Sequence, residues 1–211
     1  MDRLPTQATV RIDAAHEAIE RLGLLKPEAW RTIDALLPRC LEEHPRSVCS
    51  KFRKTGDQIS NDEKRQLGIR ANAAMSRDAL IEISATGLED PIRAHETTLL
   101  RASFVMMRHR TAQSIERMLA SDPEIQIDVV YEVFHPDACA KCKSLDETEV
   151  PHHWGLFPDS DCTCITAPYS IRSKVEWLAP VLMADAASTA VTAAVMPKSP
   201  LARFKAFFRR R

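Results

Sequence analysis

The sequence predicts an α+β protein, mainly α-helical with a small strand-containing zinc-knuckle module. Three observations carry this. Apolar residues recur at helical spacing through the N-terminal half, a period-2 alternation runs from Ile125 to Val133, and four cysteines crowd the span from Cys139 to Cys164.

Taken in order, Ala8, Ile12, Ala15, Ile19 and Leu22 share one helical face that Gly23 ends. Pro27 suits the first position of a second helix, whose stripe of Trp30, Ile33 and Leu37 stops or kinks at Pro38. From Cys40 to Asp57 the pattern is less periodic. There the basic run Lys51, Arg53 and Lys54, flanked by acidic residues, reads as a solvated face, and Cys40 and Cys49 read as buried small hydrophobes. Ser60 and Glu63 have the form of a capping box, and the helix they start carries Leu67, Ala71, Ala74 and Ile81 towards Gly87. Asp90 and Pro91 open a fourth, long helix reaching Ser121, with Leu100, Phe104, Met107, Thr111, Ile115 and Met118 along one side. Its methionines read as core packing.

Beyond Asp122 and Pro123 the period changes. Ile125, Ile127, Val129, Tyr131 and Val133 form a strand that leads through His135 and Pro136 into the first cysteine pair on a tight turn. Pro168 follows the second pair, and a helical stretch is expected from about Ser173. The resulting organisation is a helical N-terminal region at 1–89, a knuckle-bearing module at 90–172 and a helical C-terminal appendage at 173–211.

Composition bounds the function. With 211 residues, 45% hydrophobic and 27% charged, the chain is globular and long enough for a sizeable core. Its formal charge is zero, from 29 basic and 29 acidic residues, so no global field selects nucleic acid or an acidic substrate. The start has no basic segment followed by an apolar run, so a cytoplasmic, reducing setting is expected. In that setting six cysteines point to metal before disulfides.

The cysteines run C-x2-C, nineteen residues, then C-x-C. Two residues between thiolates let one turn present both sulfurs to an ion, and the longer segment can return the second pair to complete a tetrahedron. Cys139, Cys142, Cys162 and Cys164 are therefore the expected ligands of one structural zinc ion. Val150, Trp154, Leu156 and Phe157 are placed to cover it. His135, His152 and His153 stand near enough to replace one member of the C-x-C pair, and four reduced thiols or one disulfide are the metal-free alternative. Four thiolates would fill the coordination sphere, so a catalytic, water-bearing metal is not expected. A Cys139–His152 nucleophile or a Glu96 base has only composition behind it. The sequence holds no G-x-S-x-G, no H-E-x-x-H and no phosphate-cradling loop, with five glycines in all.

These residues resemble a known pattern, the C-terminal part of the Mu F-like phage minor head proteins, also called head morphogenesis proteins. The likeness lies in Arg93-Ala-His-Glu-Thr97 on a helix, then a strand, then Cys139-Ala-Lys-Cys142-Lys-Ser-Leu145-Asp146, then Phe157-Pro-Asp-Ser-Asp-Cys162-Thr-Cys164 and Pro168, over about residues 90 to 170. Family members usually continue the L-D with Gly, where this chain has Glu147, and usually carry Arg where Thr163 stands. The resemblance implies a non-enzymatic protein that acts during capsid assembly, encoded by a prophage or a domesticated remnant of one, with capsid or portal-type protein partners and with virion association as the alternative to a purely cytoplasmic place.

Other readings of the residues are a protein- or nucleic-acid-binding zinc module and a toxin-type enzyme. The acid-rich segment from Asp137 to Asp161 argues against nucleic acid. The Ala-rich stretch 181–196 is shorter than the ~20 apolar residues a membrane span needs. After it, Leu201, Phe204, Phe207 and Phe208 share a helical face while Arg203, Lys205 and Arg209 to Arg211 supply charge. Such a tail is expected to contact an anionic surface, a membrane or an acidic partner.

Overall fold

The computed structural model describes residues 6–121, 125–151 and 161–177. Helix α1, Gln7–Leu22, starts at Thr6, whose hydroxyl accepts from the Thr9 N–H at 3.3 Å. It ends where Gly23 takes φ 61°, and the Gly23 N–H bonds Ile19 O at 2.8 Å. The buried face is Val10, Ala14, Ala15, Ala18 and Ile19, rotated from the expected one so that Ala8 is exposed. Packing sets this rotation, because the small alanines let α1 lie close along the long helix α6.

A 3-10 turn at Pro27–Ala29 leads into α2, Trp30–Leu36, and Pro38 converts its end to a second 3-10 turn, Leu37–Leu41. Helix α3, Pro45–Lys54, corrects one expectation. Arg53 is only 6% exposed, so it belongs to the interior, while Lys51 is at the surface and pairs with Glu43 at 2.7 Å. Cys49 is fully buried, Cys40 half-buried, and both are free thiols. Burial pushes the Cys49 thiol up to about 12, which keeps it protonated and inert.

The capping box forms, with Glu63 N–H to Ser60 Oγ at 3.2 Å and Ser60 N–H to Glu63 Oε2 at 2.8 Å. The helix it starts does not run to Gly87. Helix α4 covers only Asn61–Gln66, since Gly68 turns left-handed at φ 67°. Ser76 then caps a separate helix α5, Arg77–Ile81, on which Ile81 points to solvent.

Helix α6, Ala94–Ser121, is the wall the rest is built on. Its expected side buries Phe104 and Ile115, but the opposite side is buried as well. Leu99, Ala102, Val105 and Met106 join Val10, Ala14, Ile33 and Val48 in the main core. That core crosses the boundary expected at 89/90. Phe104 faces a second, smaller core with Tyr131, Ala138, Cys142, Cys162 and Tyr169.

Strand β1, Ile125–Val133, matches its sequence pattern. It is the centre of an antiparallel sheet ordered β2-β1-β3, with β2 at Glu149–Pro151 and β3 at Tyr169–Trp177. In register, Val129 opposes Val150 on one side and Ser173 on the other. The helix expected from Ser173 is therefore corrected to a strand through Trp177, held by continuous pairing to β1. The remainder of the expected C-terminal appendage, including the Ala-rich stretch and the basic tail, lies outside the described residues. No helix among the described residues is long and apolar enough to cross a membrane.

Candidate metal centre

The site begins where β1 ends. The N–H groups of Phe134 and His135 both bond Pro168 O at 3.1 Å, and Ala138 N–H bonds His135 O at 3.1 Å, turning the chain sharply. Cys139 then stands at the N-cap of a single helical turn, α7, Ala140–Lys143, with extended φ −65° and ψ 163°. Cys142 lies within that turn, so the C-x2-C spacing brings its sulfur back over Cys139.

The chain then returns to β1 through Leu145, Asp146 and Glu147. Leu145 packs on the small core, and the Asp146 carboxylate accepts from Val133 N–H at 2.8 Å. Glu147 has φ 55°, the left-handed region, and its N–H bonds Tyr131 O at 2.8 Å. Among the described residues it is the one non-glycine with positive φ. Cys162 and Cys164 come from the loop that precedes β3.

All four sulfurs lie within 4.8 Å of one another. Cys142 Sγ is 3.5 Å from Cys162 Sγ and 3.8 Å from Cys164 Sγ, and Cys139 N–H points at Cys164 Sγ at 3.3 Å. A zinc tetrathiolate with bonds of about 2.3 Å has sulfur–sulfur edges of about 3.8 Å, so the donor set fits one such ion. Cys142 and Cys162 are buried, Cys139 and Cys164 half-buried, and all four are free thiols. Four clustered cysteines able to hold one metal ion are thus brought together as their spacing implied.

The histidines do not join them as far as the described residues extend. His135 is exposed, and its Nδ1 accepts from Asp137 N–H at 3.2 Å. His152 and His153, with Trp154, Leu156 and Phe157, lie outside the described residues. Glu96 is buried in the first turn of α6, paired with Arg46 at 3.0 Å.

Protonation follows from the surroundings. Burial pushes the Cys142 thiol up, and the adjacent Cys162 sulfur adds to the effect. Burial likewise raises Cys164. At Cys139 burial acts in the same sense but is outweighed by N–H donation from Cys142 and Thr163, which lowers this thiol to about 6. At neutral pH the cluster offers one ready thiolate, Cys139, beside Cys142 and Cys164, whose raised thiols hold their protons. A divalent cation must displace those protons, so affinity for metal falls as pH falls.

The surroundings of the sulfurs are the part that local sequence does not announce. Arg101 of α6 is 1% exposed and donates to Cys162 O, Cys162 Sγ and Cys164 O, while a salt bridge of 2.6 Å ties it to Glu17 of α1. Arg21, in the last turn of α1, adds a bond to Cys162 O at 3.0 Å. Tyr169 stands edge-on to Tyr131 and Phe104, with ring centroids 4.6 and 5.6 Å away, and its hydroxyl accepts from Arg108. One signal in the sequence marks Arg101: it is the one charged residue in the stretch from Leu99 to Met107, whose other members except Ser103 are apolar.

Fold and site together define a mainly helical protein with a small antiparallel sheet that presents four clustered cysteines able to hold one metal ion. No family model matches the chain, and comparison with curated proteins and with solved structures gives no match either.

Proposed function

We propose that this chain is a non-enzymatic zinc protein of the structural or assembly type, akin to the Mu F-like phage minor head proteins. The observation that carries the proposal is the convergence of four thiols within 4.8 Å, from the helical turn after β1 and the loop before β3. A tetrahedral all-sulfur set selects zinc among the common redox-inert divalent ions. With every position taken by sulfur, such an ion binds no water or substrate, and it staples the strand end to the loop before β3. Cys139, Cys142, Cys162 and Cys164 would hold it.

The assembly reading rests on the order of motifs. The Arg93–Thr97 stretch opens α6, β1 follows, and Leu145-Asp146 closes the first cysteine turn. The backbone at Glu147 supports it further, because a left-handed residue stands where the family usually has glycine. A capsid or portal-type protein is then the partner. Coexpression with portal and capsid proteins of the Mu type tests this role. The chain should cosediment with the assembled particles, and the C139S/C142S variant should not. A chain that stays at the top of the gradient under all conditions would contradict the assembly role and leave the zinc site standing.

A further inference from the structure

We infer that Arg101 is the positioning residue and charge partner of the metal centre, aimed at the C-x-C loop by Glu17. The inference rests on the zinc reading above and adds to it how the centre is joined to the helical body. A guanidinium buried this deeply must be surrounded by acceptors, since it cannot shed its proton. Glu17 supplies part of them. Arg101 Nε lies 3.2 Å from both Glu17 oxygens, and Nη2 lies 2.6 Å from Oε1.

That pair uses one edge of the fork and leaves Nη1 pointing the other way. Nη1 reaches Cys162 Sγ at 3.7 Å, Cys162 O at 3.5 Å and the carbonyl of Cys164, so it contacts both ligands of the second pair. The guanidinium carbon stands 5.8 Å from the centroid of the Phe104 ring, which shares the small core with Cys142 and Cys162.

Four thiolates around a divalent ion carry a net double negative charge, and a buried site of that charge needs cations and N–H donors near the sulfurs. Arg101 supplies both from α6. A planar fork can grip a carboxylate and a loop at once, whereas a lysine ammonium keeps the charge but not both sets of bonds. Metal loading is thereby linked to α1 and α6 through Arg101, which lies 61 and 63 residues along the chain from the two ligands it touches.

The test uses the full chain, with zinc affinity read by competition against a chromophoric chelator and ligand geometry read from the charge-transfer bands of the cobalt(II) form. R101L should bind zinc about 10–100-fold more weakly than wild type, the usual effect of losing an outer-sphere partner. R101K should recover part of that loss. R21A removes a single part-buried bond from an otherwise exposed arginine to the same loop and should change affinity by no more than about fivefold, close to the worth of a surface contact. Far-UV circular dichroism checks that the variants keep their helices, and R101Q, close in shape to arginine, serves if R101L does not fold. The inference is overturned if wild type binds zinc and R101L or R101Q binds it equally well, or if R101K binds no better than R101L. A wild-type chain that takes up no zinc overturns the metal reading itself, and this inference with it.

Discussion

Replacing Glu147 by glycine should stabilise the protein. Glu147 holds φ 55° at the point where the chain leaves the cysteine turn and rejoins β1, and its N–H is fixed to Tyr131 O at 2.8 Å. A side chain in the left-handed region costs roughly 1–2 kcal/mol, from Cβ against the following carbonyl. Glycine removes that cost but frees the unfolded chain, which gives back about 0.4–1 kcal/mol. The net expectation is a gain of about 0.5–1 kcal/mol, seen as a melting temperature about 1–4 °C higher for a protein of this size. Glu147→Ala is the control, because it removes the side chain's own interactions and keeps the strained backbone. Thermal unfolding should be followed at one fixed zinc concentration, since bound metal shifts the melt by mass action. The reasoning is refuted if Glu147→Gly melts no higher than Glu147→Ala.

Gly87→Ala should act in the opposite direction: its Cβ would lie 2.0 Å from Leu24 O and 2.8 Å from Ile83 Cγ2, and the first of these is backbone that cannot swing away. A loss of at least about 2 kcal/mol is expected on melting or urea unfolding; an unchanged midpoint would contradict the close approach. At Glu63, the Ser60 backbone N–H, then the Ser60 hydroxyl and Arg77, hold the carboxyl down at about 2. A lowered folded value stabilises above the ordinary carboxyl value of about 4.3, and that contribution disappears as pH falls through about 2. Carbon-detected NMR titration reads it directly, with Ser60→Ala expected to raise the value, and a wild-type midpoint near 4 would show that the capping box does not act this way.

What could be read from the sequence was what is local in the chain. The cysteine pairs, the capping box, Gly23 as a stop and the strand at Ile125–Val133 each depend on residues close together in the chain; the last three have their expected structure, and the two cysteine pairs converge into one cluster. The long helix expected from Ser60 to Gly87 failed because Leu67, Ala71, Ala74 and Ile81 match a helical period by coincidence. Gly68 and Ser76, a stop and a cap, were the better signals. Strand β3 carries its own period-2 pattern, with Tyr169, Ile171, Val175 and Trp177 alternating with polar residues, but its pairing to β1 lies far away in sequence. Helix α6 was assigned one apolar side and buries two, since it divides two cores. Arg53 looked like part of a solvated run, yet its position on α3 turns it inward. Arg101, Glu17 and Arg21 could not be linked to the cysteines from spacing at all, because only the packing of α1 on α6 brings them to the loop.

The most direct test of the metal centre is elemental analysis of the chain purified without added metal, beside a variant with Cys139, Cys142, Cys162 and Cys164 all changed to serine. The expected result is one zinc per wild-type chain, lost at acid pH, and none in the variant. Stoichiometric zinc retained by the four-serine variant, or a wild-type chain that neither carries nor takes up zinc, would contradict the account.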